Sequence, residues 1–194
     1  MSTMTVAKSE LVLGGQKSGK SRRAELLARQ WLDAATNHRA VLIATAQPWD
    51  EEMRQRIARH QADRAKRVPG MTTAEEPLAL AEAIAQHSRP DTLVVVDCLT
   101  LWLTNLLMPA EATMNMPLQP MDSAGVAPLL IAIENAAGPV VLVGNEIGLG
   151  VIPMGREVRA FVDALGRLNQ DVAATCQRVT LMAAGLPLTL KDTQ

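Results

Sequence analysis

The sequence predicts an α/β fold: a mostly parallel sheet with helices on both faces and an antiparallel strand at one edge. Three observations carry this. Short apolar runs recur along the chain, at 11–13, 41–45, 93–96, 140–143 and 178–184, and such runs read as strands buried on both faces. Helical periodicity fills the intervals between them. A glycine-rich stretch, Gly14 to Ser21, joins the first run to the first helix. Strands alternating with helices connect right-handedly into a parallel sheet, and in such sheets ligands bind at the carboxyl ends of the strands.

Taken in order, residues 1–9 read as a loose tail and Leu11-Val12-Leu13 as the first strand. Ser21 to Trp31 is helical, with Ala24, Leu27, Ala28 and Trp31 on one face. Val41 to Thr45 is a second buried strand, broken by Gln47-Pro48-Trp49. Asp50 is placed as an N-cap, with Glu51 and Glu52 in the first turn of a helix that runs to Arg67. Only Met53, Ile57 and a few alanines are apolar in that helix, so it lies at the surface. Val68 to Thr73 reads as a connector around Pro69-Gly70. A further helix is expected to start at Glu75-Glu76-Pro77, with Leu80, Ala81, Ile84 and Ala85 as its apolar face. Arg89-Pro90-Asp91 is a turn. Leu93 to Asp97 is a strand ending in a carboxylate, and Leu99 to Leu107 a short helix. Met108 to Val126 holds three prolines and no period, and reads as a loop. Helix Ala127–Ala137, strand Val140–Val143, a glycine-bearing loop Asn145–Pro153, helix Arg156–Ala174 and strand Arg178–Ala184 follow. Gly185 turns the chain into Leu186–Leu190, an alternating edge strand.

Composition narrows the function. A length of 194 residues suits one domain, 1–194, with a full core. A net charge of −1 supplies no field for nucleic acid, and one Phe, three Trp and no Tyr argue against a base-stacking platform as the main activity. Cys98 and Cys176 are too few and too far apart for a disulfide scaffold, which fits a reducing cytoplasm. The first residues lack the apolar core of a signal peptide, and the most apolar stretch, Leu93 to Met108, is too short and too polar for a membrane span.

Gly14, Gly15, Gln16, Lys17, Ser18, Gly19, Lys20 and Ser21 match the phosphate-binding loop pattern G-x-x-x-x-G-K-[S/T]. Strand before and helix after are the context that this motif needs. The glycines let backbone N–H groups converge on phosphate oxygens, Lys20 places a charge on the β- and γ-phosphates, and the Ser21 hydroxyl completes the shell of a Mg2+ ion. Asp97, at the end of an apolar strand, reads either as the second Mg2+ partner or as a cap of the next helix; beside the glycine loop the metal role is favoured. His60 has Arg56 and Arg64 four residues to either side, all on one helical face, with Asp63 nearby. Two cations disfavour protonation and leave a neutral, nucleophilic imidazole. Pattern alone also allows an incidental histidine on a solvated helix, and weighs toward that. His38 and His87 sit beside turns and helix ends, and no spacing suggests a zinc site. Glu75, Glu76 and Glu146 could contact a sugar or a metal, or merely start helices and shape loops.

Together, LVLGGQKSGKSRRAE, LIATAQPWDEEMRQRIARHQADR, TTAEEPL, LVVVDCLTLWLTNLL and VGNEIGLGVIPMGREVRAFVDALGRLNQ resemble the bifunctional adenosylcobinamide kinase / adenosylcobinamide-phosphate guanylyltransferase family of cobalamin biosynthesis. The resemblance spans nearly the whole chain in the right order. It implies a RecA-like P-loop NTPase fold, a homotrimer, and two reactions. A nucleoside triphosphate, ATP or GTP, phosphorylates the aminopropanol hydroxyl of adenosylcobinamide. A histidine then takes GMP from GTP and passes it to adenosylcobinamide phosphate, giving adenosylcobinamide-GDP. His60 falls at the family's nucleophile, in the stretch Arg56, Ile57, His60, Arg64, and the resemblance reverses the bland reading of that residue. Gly14 to Ser21 are implied to hold the triphosphate. Ala44, Thr45, Ala46, Gln61, Ala62, Asp63, Arg64, Glu75 and Asp97 are implied nucleotide contacts. Many relatives carry Ala-Arg where this chain has Gln16-Lys17, which keeps a basic residue. Asn145, Glu146, Gly148 and Gly150 match a further family stretch without an assigned role. The competing readings are a P-loop small-molecule kinase without nucleotidyl transfer, and a RecA-like nucleotide-dependent module acting on nucleic acid.

Overall fold

The structure is a computed structural model that describes residues 5–48, 50–108 and 123–193. Trp49, most of the proline-bearing segment 108–126 and the first residues of the expected tail lie outside the described residues. The elements are β1 (Ser9–Gly14), α1 (Lys20–Ala34), β2 (Arg39–Ala44), α2 (Glu51–Arg67), β3 (Met71–Glu75), α3 (Leu80–His87), β4 (Thr92–Asp97), α4 (Leu99–Leu107), α5 (Ser123–Glu134), β5 (Val140–Val143), α6 (Arg156–Thr175), β6 (Arg178–Ala183) and β7 (Leu186–Asp192). The strands make one sheet in the order β3-β2-β4-β5-β1-β6-β7. All neighbours are parallel except β6 and β7.

The apolar runs form the central strands because both faces are covered. On one face α1 lays Ala24, Leu27 and Ala28 against Val12, Leu42, Val95, Val141 and Val143. On the other, α3, α4, α5 and α6 cover Leu11, Ile43, Val94, Val96 and Leu142. A buried leucine such as Leu27 contributes about 1.5–3 kcal/mol by leaving water. One charge enters this core. Glu10 on β1 is fully buried, 2.8 Å from Arg23 of α1 and 3.6 Å from Arg178 of β6, and it accepts the Thr180 hydroxyl at 2.9 Å. The Glu10–Arg23 pair thus ties together the two elements that flank the glycine loop. Removing one partner alone would strand a buried charge, at about 3–5 kcal/mol.

Four expectations are corrected. Residues 5–9 are pinned rather than loose: the Thr5 carbonyl accepts from Arg178, the Lys8 ammonium donates to the Ala136 and Ala137 carbonyls, and Ser9 opens β1. The connector 68–73 is in part a strand, β3, because Thr72 and Thr73 suit the extended edge of the sheet beside β2. The helix expected at Glu75 begins at Leu80 instead; the Glu76 carboxylate accepts the N–H groups of Leu78 and Ala79 and holds a turn first. That helix buries Leu80, Ala83 and Ile84, leaving Ala85 exposed. Finally, α5 starts at Ser123, so Pro128 lies inside it.

Candidate active site

The glycine loop bridges β1 to α1 at the carboxyl edge of the sheet. Gly14 has φ 151° and Gly19 φ 102°, both in the region that favours glycine. A Cβ on Gly14 would meet the Met182 carbonyl oxygen at 2.5 Å and Ser18 Oγ at 2.6 Å. Gly15, Gln16 and Lys17 are exposed at the crest, Ser18 and Lys20 are buried, and Gly19 and Ser21 are half-buried. The Gly14 carbonyl accepts from Glu146 N–H at 3.1 Å and the Ser18 carbonyl from Gly185 N–H at 2.9 Å, so two neighbouring loops brace the cradle. Gly19 is the N-cap of α1 and provides no side-chain acceptor, so the first N–H groups of that helix point to the loop's concave side without a side-chain cap. The buried Ser18 hydroxyl has no hydrogen-bond partner among the described residues. Lys20 donates its ammonium to the Gly15 carbonyl at 2.6 Å, closing over the space that a phosphate would take. Burial holds Lys20 below the ordinary lysine range, against the opposing influence of Cys98 and Asp97 close by.

The register of the sheet brings the other predicted residues to the same edge. Ala44 pairs with Glu75 on one side and Asp97 on the other; Asp97 pairs with Val143, and Val143 with Val12. Neighbours in register point to one face. Val12 and Val143 pack on the α1 side, so Asp97 and Glu75 are directed there too. With strands about 4.8 Å apart, Asp97 stands on the order of 10 Å from β1. Thr45 is fully buried: its hydroxyl donates to the Cys98 carbonyl at 2.7 Å and accepts the Cys98 N–H at 2.8 Å. Its carbonyl accepts from Asn105 at 2.8 Å. The side chain of Thr45 therefore clamps the ends of β2 and β4, and Ala44 and Ala46 flank it half-buried.

Helix α2 carries His60, Gln61, Ala62 and Asp63, all exposed. Asp50 caps it, accepting the Met53 N–H at 2.7 Å, as its position before two glutamates leads one to expect. The helix is held at its last turn. Arg67 pairs with Glu25 of α1 at 2.7 Å, Arg29 donates to the Arg67 carbonyl at 3.2 Å, and Val68 is buried in the α1-side core. Arg64, half-buried, donates to the Thr73 hydroxyl at 3.2 Å. Burial lowers the pKa of Arg64, opposed by the nearby Glu25 and Asp97 carboxylates. Burial raises that of Glu25, opposed by Arg67 and Arg64. The last turn of α2 thus faces the Asp97 end of the sheet, and His60 lies one helical turn from Arg64 on the same face. The side chain of Arg56 lies outside the described residues.

Ser21 in the first turn of α1 and Asp97 at the end of β4 offer hard oxygen donors, and among the described residues no cluster of three His, Cys, Asp or Glu side chains forms a protein cage. A two-oxygen set suits Mg2+, which draws its remaining ligands from phosphate and water. The Glu25–Arg67 pair has no motif to announce it in the sequence. Glu25 is next to Ala24 on the buried face, and an acid between apolar helix positions is the one signal available.

Comparison with known proteins follows the same lines. A family model described as cobinamide kinase / cobinamide phosphate guanyltransferase matches residues 10–190. The bifunctional adenosylcobalamin biosynthesis protein CobP of Pseudomonas aeruginosa is 45% identical over 182 residues, 94% of this chain and 96% of that protein. Two proteins named CobU are similar at 33% (Escherichia coli, 187 residues) and 37% (Salmonella typhimurium, 188 residues), each covering 93% of this chain and 98% of the relative. Among solved structures, the flagellar accessory protein FlaH of Methanocaldococcus jannaschii aligns with a TM-score of 0.52 at 10% identity, over 98% of this chain and 80% of that one. A protein of Pyrococcus horikoshii also gives 0.52 at 10%, over 98% and 89%. At such identity these two show likeness of fold alone.

Proposed function

The chain belongs to the cobinamide kinase / cobinamide phosphate guanyltransferase family, and on that footing we propose that a single triphosphate cradle serves both reactions here. In the first, the aminopropanol hydroxyl oxygen of adenosylcobinamide attacks the γ-phosphorus of ATP or GTP. The bond from that phosphorus to the β-bridging oxygen breaks, the nucleoside diphosphate leaves, and the hydroxyl proton passes to water. Backbone N–H groups of residues 14–21 and the Lys20 ammonium hold the β- and γ-phosphates, so catalysis rests on positioning and charge. Ser21 and Asp97 would hold Mg2+, which when bound neutralises charge on the phosphates.

In the second reaction a neutral His60 ring nitrogen attacks the α-phosphorus of GTP, and pyrophosphate leaves. A phosphate oxygen of adenosylcobinamide phosphate then displaces the imidazole, breaking the P–N bond and giving adenosylcobinamide-GDP. Arg64, with Gln61, Ala62, Asp63, Glu75 and the 44–46 turn, serves the nucleotide around it, and Thr45 acts through its backbone. The observation that carries this reading is the docking of the last turn of α2 on the P-loop helix through Arg67 and Glu25, with Arg64 bonded to Thr73 on the strand that ends at Glu75. The family likeness is also the ground for proposing a cytoplasmic homotrimer; among the described residues no helix is long and apolar enough to cross a membrane.

GTP labelled at the α-phosphate tests the reading. After denaturation the protein should retain label that survives alkali, is released by acid and is lost in His60→Ala. No label together with intact phosphorylation of cobinamide would leave a kinase alone. Turnover that needs DNA or RNA would replace both with a nucleic-acid-dependent module.

A further inference from the structure

The two reactions leave one motif unused, the loop from Asn145 to Pro153, whose Asn, Glu and glycines stand out in the sequence. It forms one wall of a groove of about 990 Å3 on the side of the cradle away from α2. The outer face of α6 forms the opposite wall, with Val162 and Gly166, and Leu13 and Val179 lie at its base. Leu13 immediately precedes Gly14, and Glu146, which also lines the groove, hydrogen-bonds the Gly14 carbonyl. One end of the groove therefore adjoins the base of the phosphate cradle. Its position is held by two fixed contacts. Asn169 of α6 is buried and donates to the Asn145 carbonyl at 3.0 Å; its own side-chain oxygen has no partner among the described residues. Arg159 donates to the Pro153 carbonyl at 2.9 Å.

The rim is apolar to an extent that a free surface rarely is. Leu149, Val151 and Ile152 are all between 78% and 96% exposed, and Met154, just beyond the groove, is 95% exposed. Contiguous apolar surface of this kind marks a site that something covers. The rim's charges are of both signs, Glu146 and Asp163 against Arg159, Arg167 and Lys191, and Arg159 is engaged by the Pro153 and Met154 carbonyls, so it is not a basic patch for a polyanion. A volume near the top of the range for small-molecule sites excludes a small alcohol as the occupant.

We propose that this groove is the acceptor site, taking the amide-fringed macrocycle of the corrinoid and presenting its side-chain hydroxyl, or phosphate, to the cradle. The inference rests on the reaction given above and adds to it where the acceptor lies. Two features favour this occupant. The acceptor must approach the terminal phosphate from beside the loop, and the last turn of α2 occupies the other face of the sheet, where Arg67 pairs with Glu25 of α1. A large ring with apolar faces and a rim of neutral amides matches apolar walls edged by mixed charge.

Gly166 provides the test. An added Cβ there meets nothing within 4 Å, and a helix interior prefers most residues to glycine, so Gly166→Phe fills the groove without disturbing the helix. Cobinamide binding is followed in equilibrium dialysis by its visible absorbance, alongside the KM for cobinamide in the kinase reaction and the labelling of His60 by GTP. Gly166→Phe should weaken cobinamide binding and raise its KM about tenfold or more while His60 labelling is unchanged. Val151→Asp, at a fully exposed position that cannot unfold the protein, should shift both in the same direction. Unchanged cobinamide affinity in both variants overturns the proposal. So does a loss that comes only with altered sedimentation, which would assign the groove to a second copy of the chain. If the unaltered protein neither binds nor phosphorylates cobinamide, the proposed function itself fails, and the groove's assignment with it.

Discussion

Cys98 shows how a single residue beside the cradle is kept from reacting. It follows Asp97, its backbone is clamped by the Thr45 hydroxyl, and its thiol is buried. Burial, with Asp97 adding, pushes that thiol up to about 11; burial pushes Cys176 up to about 12. A thiol near 11 is ionised to about one part in a thousand at pH 8, and the thiolate is the reactive form. A disulfide reagent at pH 8 should therefore modify neither cysteine in the native protein and both in denaturant; rapid native labelling of Cys98 would show that the β2–β4 end opens. His60, the proposed nucleophile, is the contrasting residue, exposed on its helix. The glycine loop could be read from the sequence, because its turn demands glycine and lysine at fixed spacing; His60 is singled out by the family resemblance, since its spacing alone favours an incidental histidine. The commitment of Thr45 to Cys98 could not be read, since it depends on two strand ends meeting.

At the scale of elements, α2 is anchored at one end. Arg67, Val68 and Arg64 hold its last turn, and residues 51–63 present mostly exposed side chains. His60 lies roughly 10 Å along the axis from Arg67, so a tilt of about 20° at that anchor would carry the ring roughly 4 Å. Amides of 51–63 should exchange faster than those of β1 and β4, and slow when GTP binds; equal protection with or without GTP would exclude a moving helix. Glu25 sets the anchor. Its raised pKa means that its contribution to stability is fully present below the unfolded pKa and is lost as pH rises through the folded one. Glu25→Gln should thus match or exceed the native Tm at pH 8, with the advantage vanishing in acid. It should nonetheless slow His60 guanylylation about tenfold or more, because a misplaced nucleophile is costly, while kinase turnover changes little. A lowered Tm with normal guanylylation would make the pair purely structural. This level was only partly legible. The buried strands and α2, with its Asp50 cap, announce themselves by apolar runs and capping chemistry. The polar edge strand β3 has no apolar run, and its pairing comes from β2 rather than from its own residues.

For the whole molecule, the decisive property is that parallel strands place all their carboxyl ends at one edge. Glu75, Ala44, Asp97, Val143 and Val12 share one line across the sheet, two residues short of Gly14. The alternation of strands and helices made that edge foreseeable; the strand order was not, because β1, the first strand, sits between β5 and β6, both distant from it in sequence. With the glycine loop at this edge, and α2 and α6 packed on opposite faces of the sheet, the proposed reading has one bound triphosphate offering its γ-phosphorus to an acceptor on one side and its α-phosphorus to His60 on the other. Two chemistries would then depend on the same ammonium group. Lys20→Ala removes a buried cation now bonded to the Gly15 carbonyl. Because among the described residues only that loop's own carbonyl bonds its ammonium, the fold should survive, as judged by an unchanged circular dichroism spectrum. Phosphorylation of cobinamide and labelling of His60 by GTP should both fall by about 100-fold or more, since Lys20 bears on phosphates that both reactions need in place. Labelling at the native rate in that variant, with phosphorylation lost, would mean that GTP reaches His60 from a second site and that the shared cradle is wrong.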